Sequence, residues 1–467
     1  MMPQLNEREQ WGSKLGFVLA AAGSAIGLGN IWKFPYVVGQ NGGAAFIIIY
    51  LLCVAMIGLP VVIAEILVGR TTQRNPVGAF KALSKSKFWP LVGGMGVLAG
   101  FVILSFYAVV AGWSVGYIYE AAAGRFAEFK TPEIAGNHFN NLTANVYWGI
   151  GMLALFMIMS MTFVYAGVKK GIENGSKIMM PILFLLLIIV MIRGLTLEGG
   201  DKGLEFLFNP DWSKVTGTTI LEALGQSFFT LSLGMGAMLT YGSYMTRKDN
   251  IPSAAVEIVF LDTLIALIAG VAIFTAVFAT GQNAAEGPGL IFQTLPIVFT
   301  KMPGGYIIAI LFFILLTIAA ITSAISLLEV VTAYFIDEKK WKRHNAVLVF
   351  GGLAFIIGIP SALSFNLMKD FTLFGLNFFD LANYLSANIM LPLGGLLLAI
   401  FVGYIWGIDK AFSELKNGAE KLFEKSKLRV KIWAILVKYL APVLIFLVLL
   451  QSLGILQKLL DFFSEII

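Results

Sequence analysis

The chain has 467 residues, of which 58% are hydrophobic and only 13% are charged. Soluble domains carry about 25% Asp, Glu, Lys and Arg, so this composition excludes an ordinary water-soluble protein. The formal net charge of +6 comes from basic residues between apolar stretches; it indicates membrane topology and argues against a nucleic-acid partner. The single cysteine and the two histidines, both in polar connections, argue against disulfides and a multi-histidine metal centre.

Eleven apolar stretches long enough to cross a bilayer follow one another along the chain. We predict membrane-spanning helices at roughly 15–36, 41–69, 88–120, 147–166, 172–194, 220–245, 254–280, 304–336, 345–366, 376–407 and 432–456. The tail from Gln457 to Ile467 is too short for a twelfth. The sequence therefore predicts an all-α polytopic membrane protein.

Lysine and arginine concentrate in every second connection between these spans. The basic connections are 70–87, 167–177, 246–253, 337–344 and 409–431. Because basic residues are retained on the cytoplasmic side of a membrane, we expect the N-terminus in the cytoplasm. An odd number of spans then leads us to expect the C-terminus outside.

The first and sixth spans are interrupted by glycine and small polar residues, at 23–30 (GSAIGLGN) and 230–236 (TLSLGMG). Such residues expose backbone groups that lipid cannot satisfy, so they line a buried site or, alternatively, support close glycine packing. Two interruptions five helices apart are typical of an inverted repeat with a binding site at mid-membrane. We divide the chain into 1–194 (N-terminal segment and first repeat), 195–407 (second repeat) and 408–467 (cytoplasmic loop, eleventh span and tail).

Several polar residues lie within predicted spans. The adjacent hydroxyls of Thr322 and Ser323 either bond to their own helix or contribute oxygen ligands to a hard cation such as sodium. Buried ionisable residues are costly and indicate function, and we assign Asp262 to ion handling. For Glu65 we expect either chemistry or a bond to the backbone of the broken first span. Glu329 lies near the cytoplasmic end, and we expect it to be hydrated.

Four long motifs carry a family resemblance. They are WGSKLGFVLAAAGSAIGLGNIWKFP at 11–35, NGGAAF at 41–46, GLPVVIAEILVGR at 58–70 and GQSFFTLSLGMG at 225–236. Over essentially its whole length the chain resembles the neurotransmitter:sodium symporters, most of all the bacterial eleven-span members that carry hydrophobic and aromatic amino acids, such as tyrosine transporters. The resemblance implies a LeuT-like five-plus-five inverted repeat in a bacterial inner membrane. It also implies two bound sodium ions, an amino-acid substrate, surrounding lipid and no organic cofactor.

The resemblance also implies roles for individual residues. The first sodium site would use Ala25, Asn30, Thr230 and Asp262. The second would use Gly23, Ile26, Ala319, Thr322 and Ser323. The substrate would contact Ser24, Ala25, Leu28, Gly29, Ile103, Tyr107, Phe229, Thr230, Ser232, Met235, Ser323 and Leu327. The gates would be Arg8, Trp11 and Asp337 inside, and Lys33, Tyr107, Phe229 and Asp380 outside.

Three positions depart from the family pattern. Asp262 replaces the usual asparagine, and its fixed charge would substitute for the chloride that animal members bind; we therefore predict chloride independence, and protonation of Asp262 on the return step would add proton antiport. Lys33 replaces an arginine and Asn383 replaces its acidic partner, with Asp380 nearby. Because lysine cannot form a bidentate fork, we expect a weaker or water-mediated outer gate.

The side chains of the implied pocket favour a neutral aromatic L-amino acid, tyrosine first. Met235 is flexible and polarizable against rings, Ile103 and Leu327 are apolar, and Ser24 suits a phenol. Two alternatives remain at this point. One is proton-coupled amino-acid transport without sodium, and the other is an ion channel, although no selectivity-filter motif is present. A membrane enzyme is not expected, because no histidine lies in a span.

Overall fold

The structure is a computed structural model that describes residues 8–281, 290–424, 427–456 and 458. Within these ranges every run of regular structure is helical, as the sequence predicts. Of the predicted C-terminal tail, all but Lys458 lies outside the described residues.

Nine helices of the described chain are long and apolar enough to cross a membrane. They are Ala44–Thr72, Trp89–Ala122, Val146–Tyr165, Val168–Leu195, Ile251–Ala279, Gly305–Lys339, Arg343–Leu363, Phe378–Lys416 and Leu428–Ser452. The bent pair Lys14–Ala25 and Gly29–Gln40, with 50° between its halves, makes a tenth and is the first span. The sixth span is divided into Gly217–Thr230 and Ala237–Gly242, and neither half is long enough to cross a membrane by itself.

The first span lies at the centre of the fold. Its first half packs against the fifth, seventh and eighth spans, and the third and eighth spans pack against each other. This arrangement is the five-plus-five inverted repeat with discontinuous first and sixth helices. The two breaks therefore face each other in the interior and not toward lipid, where their free backbone groups would have no partner.

Local sequence explains both breaks. Helix Lys14–Ala25 ends at Ile26, whose backbone is extended. The sixth span breaks where Ser232, Gly234 and Gly236 have positive φ angles of 54°, 84° and 76°, a region that glycine adopts without steric cost. A Cβ atom on Gly234 would also lie 2.1 Å from the carbonyl oxygen of Leu391. The break thus needs glycine for both conformation and packing.

Glu65 stabilises the break of the sixth span. Its Oε1 accepts a 2.7 Å hydrogen bond from the backbone N–H of Gly234, and the side chain is buried. Of the two roles that we expected for Glu65, the bond to the backbone of the broken first span is not the one found, since this bond goes to the break of the sixth span. The reason is packing, because the second span lies along the second half of the sixth span.

Candidate substrate and sodium site

A cavity of about 40 Å³ lies where the two breaks meet. Eleven of the twelve residues expected to contact the substrate line it, and Thr230 does not. Its lining is Ser24, Ala25, Gly27, Leu28, Gly29, Ile103, Tyr107, Phe229, Ser232, Met235, Ser323, Leu327 and Leu391. Residues from the first, third, sixth, eighth and tenth spans thus meet in one place.

Two lining residues, Gly27 and Leu391, were not predicted. A Cβ atom on Gly27 would lie 2.4 Å from Ser323 Oγ and 2.9 Å from the hydroxyl oxygen of Tyr107, so glycine keeps space for both hydroxyls. Leu391 comes from the tenth span, for which the sequence offered no motif. The one available signal was the small pair Gly394–Gly395, which packs against the break of the sixth span.

The residues expected at the second sodium site lie together. Ser323 Oγ donates to the carbonyl oxygens of Ser24 at 3.1 Å and Ile26 at 3.4 Å, across to the broken first span. Thr322 Oγ1 donates to the carbonyl of Ala319 at 3.0 Å, in its own helix. A Cβ atom on Gly23 would lie 3.2 Å from Thr322 Cβ. The cluster consists of neutral oxygens, the ligands that hard cations prefer.

The residues expected at the first sodium site include a buried carboxylate with one unused oxygen. Asp262 Oδ1 accepts a 2.7 Å hydrogen bond from Asn30 Nδ2. Asp262 Oδ2 has no hydrogen-bond partner among the described residues, and the side chain is fully buried. Because an isolated buried anion is costly, this oxygen fits a cation ligand. Thr230 lies alongside, with its hydroxyl 3.3 Å from the hydroxyl of Tyr50.

A lid separates the small cavity from a larger one of about 300 Å³ toward the outer end. Leu28, Tyr107 and Phe229 line both cavities, and the N–H of Leu28 donates to the Tyr107 hydroxyl at 3.3 Å. The wall of the larger cavity is largely aromatic and includes Trp113, Phe139, Phe292, Phe365 and Phe379. Tyr107 and Phe229, which we predict to form an aromatic lid, thus lie between the two cavities.

The outer charged residues form no ion pair in the described part of the chain. Lys33 Nζ lies 4.5 Å from the centre of the Phe229 ring, a cation–π contact. Asp380 instead accepts a 2.8 Å hydrogen bond from Asn377 Nδ2. Asp380 and Asn383 line the same cavity but are exposed. The outer gate therefore rests on an aromatic contact and not on paired charges.

The inner residues, by contrast, form a dense polar cluster. Arg8 Nη1 lies 2.5 Å from Asp337 Oδ2, which also accepts a 2.8 Å hydrogen bond from the N–H of Asn75. Arg8 Nη2 donates to Ser243 Oγ at 2.6 Å. Trp11 Nε1 donates to the carbonyl of Tyr241 at 2.9 Å. The predicted pair is thus present, and it joins the N-terminal segment to the second, sixth and eighth spans.

Glu329 belongs to this inner region, and our expectation that it is hydrated is wrong. The side chain has no exposed surface, and its Oε2 lies 2.6 Å from Nη1 of Arg343. The hydroxyl of Tyr244 donates to Glu329 Oε1, and Arg343 Nη2 also contacts Glu9 at 2.8 Å. A buried charge is retained only when it is paired, and Arg343 in the next connection supplies that pair.

Comparisons with known proteins agree with this architecture. A family profile described as "Sodium:neurotransmitter symporter family" matches residues 8–140 and 138–460. The uncharacterized sodium-dependent transporter YhdH of Bacillus subtilis is 41% identical over 448 residues, which is 96% of this chain and 98% of that protein. An uncharacterized sodium-dependent transporter of Haemophilus influenzae is 37% identical, over 96% of this chain and 98% of its own.

A solved structure is also similar. The crystal structure of MhsT in complex with L-phenylalanine has a TM-score of 0.87 and 46% sequence identity, and the match covers 95% of this chain and 100% of that one. The chain therefore belongs to the sodium:neurotransmitter symporter family, and it is a sodium-dependent membrane transporter and not an enzyme.

Proposed function

We propose that this transporter takes up a neutral hydrophobic or aromatic L-amino acid with sodium by alternating access, and that tyrosine is the favoured substrate. The observation that carries the proposal is the composition of the small cavity. Backbone of the two breaks and the hydroxyls of Tyr107 and Ser232 lie beside the apolar side chains of Ile103, Met235 and Leu327. No acidic or basic residue is among its lining residues, so it offers no partner for a charged substrate side chain. The binding of L-phenylalanine by MhsT supports the same class.

The free backbone groups at the breaks of the first and sixth spans suit the carboxylate and ammonium groups of an amino acid. Amino ends of half-helices attract a carboxylate, and free carbonyls accept hydrogen bonds from an ammonium group or bind sodium. The cavity of about 40 Å³ has room for roughly three water molecules. An aromatic ring must therefore displace Met235 or the lid, and methionine adapts to such a change at low cost.

Two sodium ions accompany the substrate in this proposal. The unpartnered Asp262 Oδ2 supports one ion beside Asn30 and Thr230, and the Thr322 and Ser323 hydroxyls support the other. Because the first ion would also contact the substrate carboxylate, neither would bind well alone. The transport of the amino acid would therefore be coupled to that of sodium through this shared contact.

The first test is uptake of labelled L-tyrosine into proteoliposomes under an inward sodium gradient, with choline replacing sodium in the control. We expect saturable uptake that is lost in choline, and competition by other amino acids then ranks the substrates. If L-phenylalanine or L-leucine is transported and tyrosine is not, tyrosine is rejected as the favoured substrate, but the class of hydrophobic or aromatic amino acids is not. Equal uptake in choline would reject the sodium sites.

Asp262 supports chloride independence as a further part of the proposal. Its carboxylate is held by Asn30 at 2.7 Å, close to Thr230 and Tyr50, and supplies a fixed negative charge. We predict equal uptake when gluconate replaces chloride, and we predict that Asp262→Asn makes uptake depend on chloride. An Asp262-mediated proton antiport predicts, in addition, that an outward proton gradient, with the vesicle interior more acidic, stimulates uptake and that an inward one opposes it. Loss of uptake in gluconate by the unaltered protein would contradict the first prediction.

We further propose that the transporter lies in a bacterial inner membrane with its N-terminus in the cytoplasm and its C-terminus outside. The inner cluster of Arg8 and Asp337 lies at the end where the basic connections are found, as the retention of basic residues predicts. Labelling single introduced cysteines at Lys170 and Lys202 with a membrane-impermeant reagent tests this orientation. We expect only the cysteine at Lys202 to react in intact cells.

A further inference from the structure

A lysine on the lipid-facing side of the molecule lies between the tenth and eleventh spans. Lys438 Nζ is 5.1 Å from the ring centre of Tyr404 and 5.5 Å from that of Tyr439. The Tyr404 hydroxyl donates to the carbonyl oxygen of Lys438 at 2.9 Å. We call these three residues the lysine–tyrosine cluster. Its position relative to the membrane and its charge balance indicate what it binds.

The two spans approach closely at this point. A Cβ atom on Gly403 would lie 3.2 Å from Lys438 Cα and 3.4 Å from its Cγ, so glycine allows the contact. Both segments have π-helical geometry there, at Phe401–Gly407 and Leu436–Leu440. The hydrogen bond from Tyr404 satisfies a carbonyl of the second segment. The cluster is therefore held in place by backbone contacts and not by flexible side chains alone.

The cluster lies near the surface of the membrane. Tyr404 comes three residues before Gly407, whose positive φ of 92° turns the chain away from the tenth span. One helical turn is roughly 5 Å along the axis, so the cluster is about that far inside the bend. The part of helix Phe378–Lys416 after Gly407, and the part of helix Leu428–Ser452 before the cluster, then lie beyond the hydrocarbon. Tyrosine is enriched at this depth, and lysine places its charged end there while its stem remains among apolar groups.

The surroundings of the cluster are exposed and apolar. Tyr404 and Tyr439 are 51% and 54% exposed, and the adjacent Ile405 and Ile435 are 47% and 55% exposed. Each of these side chains belongs to a helix long and apolar enough to cross a membrane, so its exposed half would face lipid. An occupant of this surface must therefore combine an apolar part with the charge that the lysine requires.

No carboxylate forms an ion pair with Lys438 within the described ranges. The charged residues that precede it in the same helix, Arg429 and Lys431, are also basic and exposed. These charges in the helix of Lys438 are thus all positive. A cation at the membrane interface is stabilised by an anionic lipid headgroup.

We propose that the lysine–tyrosine cluster is a binding site for an anionic phospholipid, with the phosphodiester at Lys438 Nζ and the acyl chains along Ile405 and Ile435. A zwitterionic lipid carries its own ammonium group, which offsets the attraction, so phosphatidylglycerol binds better than phosphatidylcholine. The tyrosine rings keep the ammonium group of Lys438 oriented toward the headgroup. This inference does not depend on which amino acid is transported.

Native mass spectrometry of the full chain in detergent tests the proposal, by titration with phosphatidylglycerol or with phosphatidylcholine of the same acyl chains. For Lys438→Gln we expect roughly fivefold weaker binding of the first phosphatidylglycerol and unchanged binding of phosphatidylcholine. The matched control is Lys170→Gln, which removes an exposed lysine from another basic connection. It should bind both lipids as the unaltered protein does.

Two results would overturn the proposal. One is unchanged phosphatidylglycerol binding by Lys438→Gln, and the other is an equal loss in Lys170→Gln, which would indicate non-specific attraction. Tyr404→Leu provides a second variant that keeps the lysine charge, and we expect it to weaken phosphatidylglycerol binding by a smaller factor. Thermal midpoints measured without added lipid identify a misfolded variant. If Lys438→Gln or Tyr404→Leu is misfolded, the lipid binding of the other one tests the proposal.

Discussion

The two ends of the transport path are closed by different chemistry. At the inner end there are two ion pairs: Arg8–Asp337 joins the N-terminal segment to the eighth span, and Arg343–Glu329 joins the eighth span to the ninth. At the outer end, Lys33 rests on the ring of Phe229 beside a cavity of about 300 Å³. The inner residues are largely buried, whereas Asp380 and Asn383 of the outer cavity are exposed.

This difference concerns the cost of opening each end. A buried pair that separates leaves charges without partners, which is strongly unfavourable. A lysine that leaves an aromatic ring next to a hydrated cavity loses only a small attraction and regains water. We therefore expect the inner end to be held shut more firmly than the outer one, so that opening it would need binding energy from substrate and ions. Three substitutions test this order of strength.

The largest effect is expected from Arg343→Gln. It leaves the carboxylate of Glu329, which has no exposed surface, with only the hydroxyl of Tyr244 as a partner. Breaking a buried pair in this way costs about 3–5 kcal/mol. We expect a clearly lower thermal midpoint in detergent, measured by the fluorescence of a thiol-independent dye or by loss of monodisperse protein.

Two comparison variants sharpen this test. The double variant Glu329→Gln/Arg343→Gln should recover much of the stability, because no uncompensated charge remains. Lys14→Ala removes one partner of an exposed pair with Glu257, in which the side chains are 45% and 44% exposed. Exposed pairs contribute about 1 kcal/mol or less. If Lys14→Ala and Arg343→Gln lowered the midpoint equally, burial would not be what distinguishes the inner end.

An intermediate effect is expected from Arg8→Ala, which breaks the partly buried pair with Asp337 and the bond to Ser243. Hydrogen bonds to charged groups contribute about 2 kcal/mol, a factor of roughly thirty in an equilibrium. We expect the ratio of inward-open to inward-closed protein to rise by about this factor of thirty. The measurement is the alkylation rate of a cysteine at Thr240, which is buried, in a chain with Cys53→Ser. An unchanged rate would show that Arg8 does not close the inner end.

The sequence alone was informative about the breaks in the first and sixth spans. It was less informative about which residues of other helices bond to the buried carboxylates. Glycine and serine within two spans five helices apart predicted both interruptions, because that spacing is typical of an inverted repeat with broken helices. For Glu65, one of the two expected roles was a bond at the break of the first span. Its bond is instead to the break of the sixth, because the packing of the second span decides which break the side chain reaches. Glu329 was taken as hydrated because its partner Arg343 lies 14 residues away, beyond the end of the helix.

The residues of the cavity show the same limit. Eleven of its thirteen lining residues were identified through the family resemblance. Gly27 and Leu391 were missed, and the approach of Leu391 to Gly234 depends on how two helices pack. Helix packing is set by the surfaces of both partners, and a single sequence does not say which surfaces meet.

The smallest effect is expected from Lys33→Gln, which removes the cation over Phe229 and retains most of the side-chain length. A partly exposed cation–π contact contributes about 1 kcal/mol, a factor of roughly five. We expect KM for the amino acid to rise by about that factor, because the lid closes less favourably over the substrate. Lys33→Arg should preserve the original KM, because arginine also stacks on rings.

Asp380→Asn separates this aromatic gate from an ionic one. Lys33 and Asp380 form no ion pair among the described residues, and Asp380 bonds to Asn377 instead. Neutralising Asp380 should therefore leave KM unchanged, whereas a gate of paired charges would respond equally to loss of either partner. An equal rise in KM for Asp380→Asn and Lys33→Gln would mean that the closed outer end depends on charge after all. In that case the two ends would differ in burial and not in the kind of contact that closes them.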